Sequence, residues 1–220
     1  MRAMILAAGR GTRMGALTAD RPKPLLDLAG ESLIERNIRQ LAAAGVDEIV
    51  VNLSYRGEQI RAALGDGHGL GVRLTYSQEP EEPLETAGGI VAALPLLGQD
   101  PFIVVNADVV TDFDFRGLVD ASDCSTIVLV PNPPHHPQGD FGLDPQGRVT
   151  PVVPKLTYSG IARFEPELFV GLAPGRRPLV QVLDSAIAER RLCGVAYSGL
   201  WLDVGTPERL EVARAALASV

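Results

Sequence analysis

The chain has 220 residues, 46% of them hydrophobic and 21% charged, with a formal charge of −7 at neutral pH. This composition is that of a folded globular protein with room for a sizeable core, not of a disordered chain, and its acidity argues against a general nucleic-acid binder. No stretch reaches the roughly 18 apolar residues of a membrane span. The apolar run Met4 to Ala8 is too short for a signal-peptide core, so a cytoplasmic protein without a membrane partner is expected. Met4 to Ala8 reads as a first, fully buried strand. Leu33 to Ala44 has helical spacing and is closed by Gly45. Glu48 to Asn52 (EIVVN) predicts a second buried strand, Gln59 to Leu64 a short helix, and Arg73 to Tyr76 a third strand. Gly89 to Leu97 predicts a helix, and Phe102 to Asn106 (FIVVN) a fourth strand. Further on, Thr126 to Val130 predicts a strand, and Phe141 to Leu143 with Arg148 to Val152 a hairpin. Thr157 to Phe164, Val195 to Tyr197 and Leu200 to Val204 follow as strands, with helices at Leu179 to Glu189 and Pro207 to Leu217. Thr206 is the expected cap of the last helix, with Pro207 in its first turn. Strand and helix alternate in the first half. That pattern implies an α/β fold with a parallel sheet covered on both faces by helices, and ligands at the carboxyl ends of its strands. Cys124 and Cys193 lack metal-ligand spacing and are expected to be buried and reduced, without a disulfide.

The segment Leu6 to Leu26, LAAGRGTRMGALTADRPKPLL, carries the densest chemical signal. An apolar strand ending in Gly9 and Gly11 lets backbone N–H groups approach a polyphosphate. Arg13 and Lys23 can supply the positive charge that a triphosphate needs. This is not the P-loop, in which Lys directly follows the second glycine of G-x-x-x-x-G-K. The dinucleotide fingerprint is also absent, because Met14 stands where its third glycine belongs.

Ala7-Ala8-Gly9-Arg10-Gly11-Thr12-Arg13-Met14, followed by Arg21-Pro22-Lys23-Pro24-Leu25, resembles the signature of nucleotidyltransferases that join a nucleoside triphosphate to a sugar 1-phosphate. The resemblance recurs at intervals to residue 205. It implies a Rossmann-like nucleotidyltransferase fold, a mixed, mostly parallel central sheet flanked by helices, in one domain over 1–220, with a nucleotide-binding half at 1–115 and a sugar-binding half at 116–220. It also implies that Arg13 and Lys23 are catalytic, and that Ala7, Ala8, Gly9, Gly11 and Thr12 line the nucleotide site with them.

Asn106-Ala107-Asp108 directly follows the FIVVN strand, so its carboxylate points towards a ligand crevice. Magnesium takes hard oxygen ligands, usually one or two carboxylates plus substrate phosphates. Asp203 also ends a short strand; it either completes a metal pair or bonds to the Thr206 region. The family has a metal aspartate in each corresponding motif, which implies Mg2+ on Asp108 and Asp203. Glu85-Thr86-Ala87-Gly88-Gly89 resembles the family's base-contacting loop, with Thr86, Ala87 and Gly88 at the base; Thr86 also suits a helix cap. Ser77 and Glu79 border the base or ribose. Asn106, Asp140, Gly142, Ser159 and Gly160 are the expected sugar-phosphate residues. Lys155 is either a surface lysine or the family's sugar-phosphate lysine.

The run Asn132-Pro133-Pro134-His135-His136-Pro137-Gln138-Gly139-Asp140-Phe141 resembles that of bacterial N-acetylmuramate-1-phosphate uridylyltransferases of cell-wall recycling. Adjacent histidines in an extended segment point opposite ways, so His135 and His136 read as part of a rigid loop and not as a shared metal site. The resemblance implies UTP and N-acetylmuramate 1-phosphate as substrates, with Arg163, Arg176 and Arg177 as alternatives for the lactyl carboxylate. Siblings with another base or sugar, and a non-catalytic sugar-nucleotide sensor, are the alternative readings. A monomer or weak homo-oligomer is expected.

Overall fold

A computed structural model describes residues 1–82, 84–120 and 124–218. In chain order the elements are β1 (Arg2–Leu6), the short hairpin β2 (Asp27–Leu28) and β3 (Glu31–Ser32), α1 (Leu33–Ala43), β4 (Glu48–Leu53), α2 (Gly57–Leu64), β5 (Arg73–Gln78) and α3 (Glu85–Leu97). Then come β6 (Phe102–Asn106), β7 (Val109–Thr111), α4 (Arg116–Val119), β8 (Ser125–Val130), β9 (Gly142–Leu143) and β10 (Val149–Thr150). The chain ends with β11 (Thr157–Phe164), α5 (Leu179–Ala188), β12 (Leu192–Ala196), β13 (Trp201–Asp203) and α6 (Pro207–Ala218).

One seven-stranded sheet in the order β12-β8-β11-β6-β1-β4-β5 crosses the molecule. Only β11 runs against the others, pairing antiparallel with both β6 and β8. Alternate residues of each strand face opposite sides. Ala3 and Ile5 of β1, with Ile49 and Val51 of β4, face Ile34, Ile38 and Leu41 of α1 and Ile60 and Leu64 of α2. Met4, Val50, Phe102 and Val104 face Ile90 and Ala93 of α3 and Leu179, Val182 and Leu183 of α5. A third, smaller core joins Met14, Leu26, Leu28 and Leu33 to Val110, Val204, Leu210 and Ala213. It welds the segment after β1 to β13 and α6.

The chain runs from β1 outward through β4 to β5, then returns to place β6 on the other flank of β1. That reversal opens a crevice at the carboxyl ends of β1 and β6, where open α/β sheets bind ligands. In register, Leu6 lies opposite both Asn52 and Asn106, so three strand ends reach the crevice at one level.

The helix capping at Ser32 is a complete capping box with Glu35, which explains the sharp start of α1. α3 begins at Glu85, four residues before the start expected from Gly89, because the backbone there is anchored from outside the helix: Ala87 N and Gly88 N donate to Arg177 O at 3.1 and 3.2 Å. The cysteine expectation needs correction. β12 lies parallel beside β8 with Cys193 opposite Thr126, so Cys193 meets Cys124 across the sheet edge and the two form a disulfide, Cα to Cα 6.0 Å.

Phe102, Phe164 and Phe169 form a fully buried aromatic cluster beneath the sheet, with centroids 5.4 to 6.4 Å apart. Phe102→Ala leaves a cavity there and is expected to cost about 3–5 kcal/mol in chemical denaturation; a loss below 1 kcal/mol would show that the cluster collapses freely.

Candidate active site

A cleft of about 370 Å³ lies at the β1, β4 and β6 carboxyl ends. Its wall includes Ala7, Ala8, Gly9, Gly11, Thr12, Arg13, Lys23, Asn52, Glu79, Glu85, Thr86, Asn106, Asp108 and Gly205. Gly11 adopts φ +64, and a Cβ there would stand 3.0 Å from Lys23 Cβ. The glycine thus lets the loop close onto the lysine stem, bringing the two halves of the motif together. Met14, 1% exposed, anchors this loop in the third core.

The two aspartates at and beside the cleft are each paired with a cation. Lys23 Nζ forms an ion pair with Asp108 Oδ2. Asp203 is paired with Arg209 and lies 3.1 Å from His135 Nε2. The two aspartates are neighbours through the backbone: Val204 N donates to Asp108 O at 2.9 Å, and Asp203 lies opposite Val109 in the β13–β7 ladder. Arg13 has no carboxylate partner among the described residues.

Beneath the loop after β1 lies a buried polar relay. Ala7 N donates to Asn52 Oδ1 at 2.6 Å, and Asn52 Nδ2 donates to Glu79 Oε1 at 2.6 Å. Glu79 is 6% exposed. Burial pushes its carboxyl above the ordinary range, partly offset by hydrogen bonds from Asn52 and from the Leu84 backbone. Glu79 therefore ties the phosphate-side loop, through Asn52, to the segment that starts α3.

The remaining expected site residues are placed as follows. Ser77 is buried on β5, and Ala87 is buried in α3 beside Gly88; none of the three lines the cleft. Thr86 lines it from the first turn of α3, inside the helix and not at its cap. Asp140 accepts from Tyr158 N at 2.8 Å and lies 3.0 Å from His136 Nε2. Ser159 is buried, its hydroxyl accepting from Ile161 N and its carbonyl from Trp201 Nε1. Gly160 sits against Asn106 at the irregularity of β11, and Gly142 packs under the Val152 carbonyl. Lys155 is half-buried outside the cleft wall. Arg163, 4% exposed, is spent on Glu165 at 2.8 Å and the Cys124 carbonyl, which removes it as a ligand-facing cation. Arg176 donates to Glu85 at 2.6 Å at the rim.

Sequence reasoning missed Asn52 and Arg209. Asn52 carried a readable signal, since EIVVN ends in asparagine as FIVVN does. Arg209 carried none beyond its place near Asp203. Among the described residues, no group of three or more His, Cys, Asp and Glu side chains could by itself hold a metal. Asp108 and Asp203 are nonetheless hard oxygen donors on adjoining backbone. That donor set suits a divalent cation whose other ligands are water and phosphate oxygens.

The family model for nucleotidyl transferases matches residues 2–219. The chain is 49% identical to the N-acetylmuramate alpha-1-phosphate uridylyltransferase of Neisseria meningitidis serogroup B, covering 98% of this chain and 97% of the relative. It is 36% identical to the enzyme of the same name from Caulobacter vibrioides, covering 98% and 96%. A solved structure from Bacillus anthracis, provisionally named a glucose-1-phosphate thymidylyltransferase and holding a sucrose, superposes with a TM-score of 0.86 at 20% identity, over 100% and 96% of the two chains. That likeness speaks for the fold.

Because its folded pKa is raised, Glu79 keeps its proton in the native state over a pH range where the unfolded chain has lost it. Its favourable contribution is full below the ordinary value of 4.5 and is lost as pH rises through the raised value. Relative to Glu79→Gln, the wild type should therefore lose unfolding free energy across that window and then level off. Parallel denaturation curves for the two proteins at every pH would contradict this.

Proposed function

The chain belongs to the nucleotidyl transferase family, and we propose that it is the uridylyltransferase that moves UMP from UTP to N-acetylmuramate 1-phosphate, forming UDP-N-acetylmuramate and pyrophosphate. The observation that carries the substrate choice is the 49% identity over almost the whole of both chains. The cleft supports the reaction class, because it gathers the glycine loop, Arg13, Lys23 and Asp108 on one wall. The product is an activated cell-wall sugar, so the enzyme serves peptidoglycan recycling. A reaction that consumes UTP belongs in the cytoplasm, and no helix among the described residues is long and apolar enough to cross a membrane.

An acceptor phosphate is already anionic, so no general base is required. The obstacle is the approach of two polyanions, and positioning plus charge neutralisation meets it. Arg13, without a carboxylate partner among the described residues, would hold the departing β- and γ-phosphates. Lys23 would exchange Asp108 for the α-phosphate as charge grows there. Asp108 and Asp203 would hold Mg2+, which supplies positive charge between donor and acceptor phosphates when bound. Thr86, with Glu79 and Asn52 behind it, would border the base. Ser77, Ala87 and Gly88 would act from below the wall by shaping it. Asp140, held by His136 and the Tyr158 amide, would receive sugar hydroxyls, with Asn106, Gly142, Ser159 and Gly160 shaping that side. This division puts nucleotide binding in 1–115 and sugar binding in 116–220. All these groups lie on one chain, so a monomer or weak homo-oligomer suffices.

Lys23→Ala is expected to lower turnover by on the order of a hundredfold or more, the cost of losing one transition-state donor; near-normal turnover would remove Lys23 from this role. Asp108→Asn should keep its melting temperature and lose metal-dependent turnover. The substrate assignment is checked by pyrophosphate release with Mg2+, across UTP, GTP, CTP and dTTP, against N-acetylmuramate, N-acetylglucosamine, glucose and mannose 1-phosphates. Preference for UTP with N-acetylmuramate 1-phosphate is expected. Preference for another pair would overturn the substrate, and no release with any pair would favour a sugar-nucleotide sensor.

A further inference from the structure

Gly205 lines the cleft just after Asp203. The point where a Cβ on Gly205 would sit is 2.1 Å from Arg209 Nη2 and 3.5 Å from Arg13 Nη2. Two guanidinium groups from distant parts of the chain therefore flank one glycine on the cleft wall. Only a residue without a Cβ leaves room for Arg209 in this place.

Only one of these two cations has a carboxylate partner among the described residues. Arg209 is paired with Asp203, and Arg13 has no carboxylate partner among the described residues. Lys23 and Asp108 cancel each other nearby. The wall around Gly205 thus keeps an excess of positive charge, which favours an anionic ligand. Arg209 is also propped from the sugar side. Its Nη1 lies 2.7 Å from His135 Nε2. The same ring nitrogen lies 3.1 Å from Asp203 Oδ1. His135 sits on the proline-rich loop, whose neighbouring His136 supports Asp140 instead. The two histidines thus serve two different groups.

We propose that Arg209 is a second pyrophosphate-binding residue, gripping the β- and γ-phosphates of the nucleotide together with Arg13, and that His135 is its positioning residue. Arg209 parts from Asp203 when the phosphates arrive, which frees that carboxylate. The inference rests on the nucleotidyltransfer reading, because it takes the triphosphate to lie along this wall.

The test is calorimetric binding of inorganic pyrophosphate, with and without Mg2+, beside steady-state kinetics. Arg209→Gln is expected to weaken pyrophosphate binding at least tenfold and to raise KM for UTP similarly. KM for the sugar 1-phosphate should stay within about twofold. Arg209→Lys should recover part of the loss, since it restores charge without the fork geometry. His135→Ala should give a smaller loss in the same direction, and Arg214→Gln, farther along α6, none. Gly205→Ala reaches the same contact from the backbone and should reproduce the Arg209→Gln defect with its arginine intact. Wild-type pyrophosphate affinity in Arg209→Gln would overturn the proposal, as would a defect confined to the sugar-phosphate KM. If the wild type binds pyrophosphate through Arg209 and yet turns over no sugar phosphate, the reading of the reaction fails and the site stands.

Discussion

Two aspartates on adjoining backbone, each covered by a cation, set the terms for the rest of the molecule. Asp108 O accepts from Val204 N, so the carboxylates at 108 and 203 cannot drift apart. Left bare, two such charges would repel each other and would also repel a triphosphate. Lys23 and Arg209 neutralise the pair in the free enzyme. The chain reaches this arrangement from three directions: the loop after β1, the end of β6, and the turn from β13 into α6. The third core, from Met14 to Leu210 and Ala213, exists where those three meet and holds them in register.

The sheet delivers the same point from below. β1 lies between β4 and β6, and Leu6, Asn52 and Asn106 stand level at its end. Asn106 lies beside Gly160. On the other flank the Asn52 amide spans Ala7 and Glu79. A buried acid at that position is expensive unless it is hydrogen-bonded. Glu79 retains its place because it fixes the Asn52 amide and the backbone at Leu84 together. The height of the glycine loop and the start of α3 are therefore not independent.

Much of this was legible in the chain, for definite reasons. The strands FIVVN and TYSGIARF were found at their observed limits because apolar or β-forming runs ended abruptly at polar or turn residues. The α/β alternation followed from the same runs, and the mixed sheet from the family resemblance. The β2–β3 hairpin, with two residues per strand, and β7, with three, were not legible, whereas the equally short β9–β10 hairpin was marked by its Pro145-Gln146-Gly147 turn. α3 began early because its first turn is held by the Arg177 carbonyl, a contact 90 residues away in sequence. The cysteine pairing was illegible for the same reason, since parallel pairing of β12 with β8 joins residues 69 apart.

Site residues divide along a similar line. Groups that belong to a local pattern, such as Gly11, Arg13, Lys23 and Asp108, could be named from the chain because glycine turns and strand ends announce themselves. Arg209 could not, because one arginine among several in a polar helix looks like any solvated charge. Its distinction is its place beside Gly205, opposite Arg13, and that is fixed only when α6 folds back over the loop after β1. Arg163 errs the other way, since an arginine that looked available is consumed by Glu165 and a backbone carbonyl within the fold. Charge in a sequence tells how many cations exist. Which of them still have work left for a ligand is decided by the carboxylates and carbonyls that the fold has already brought to them.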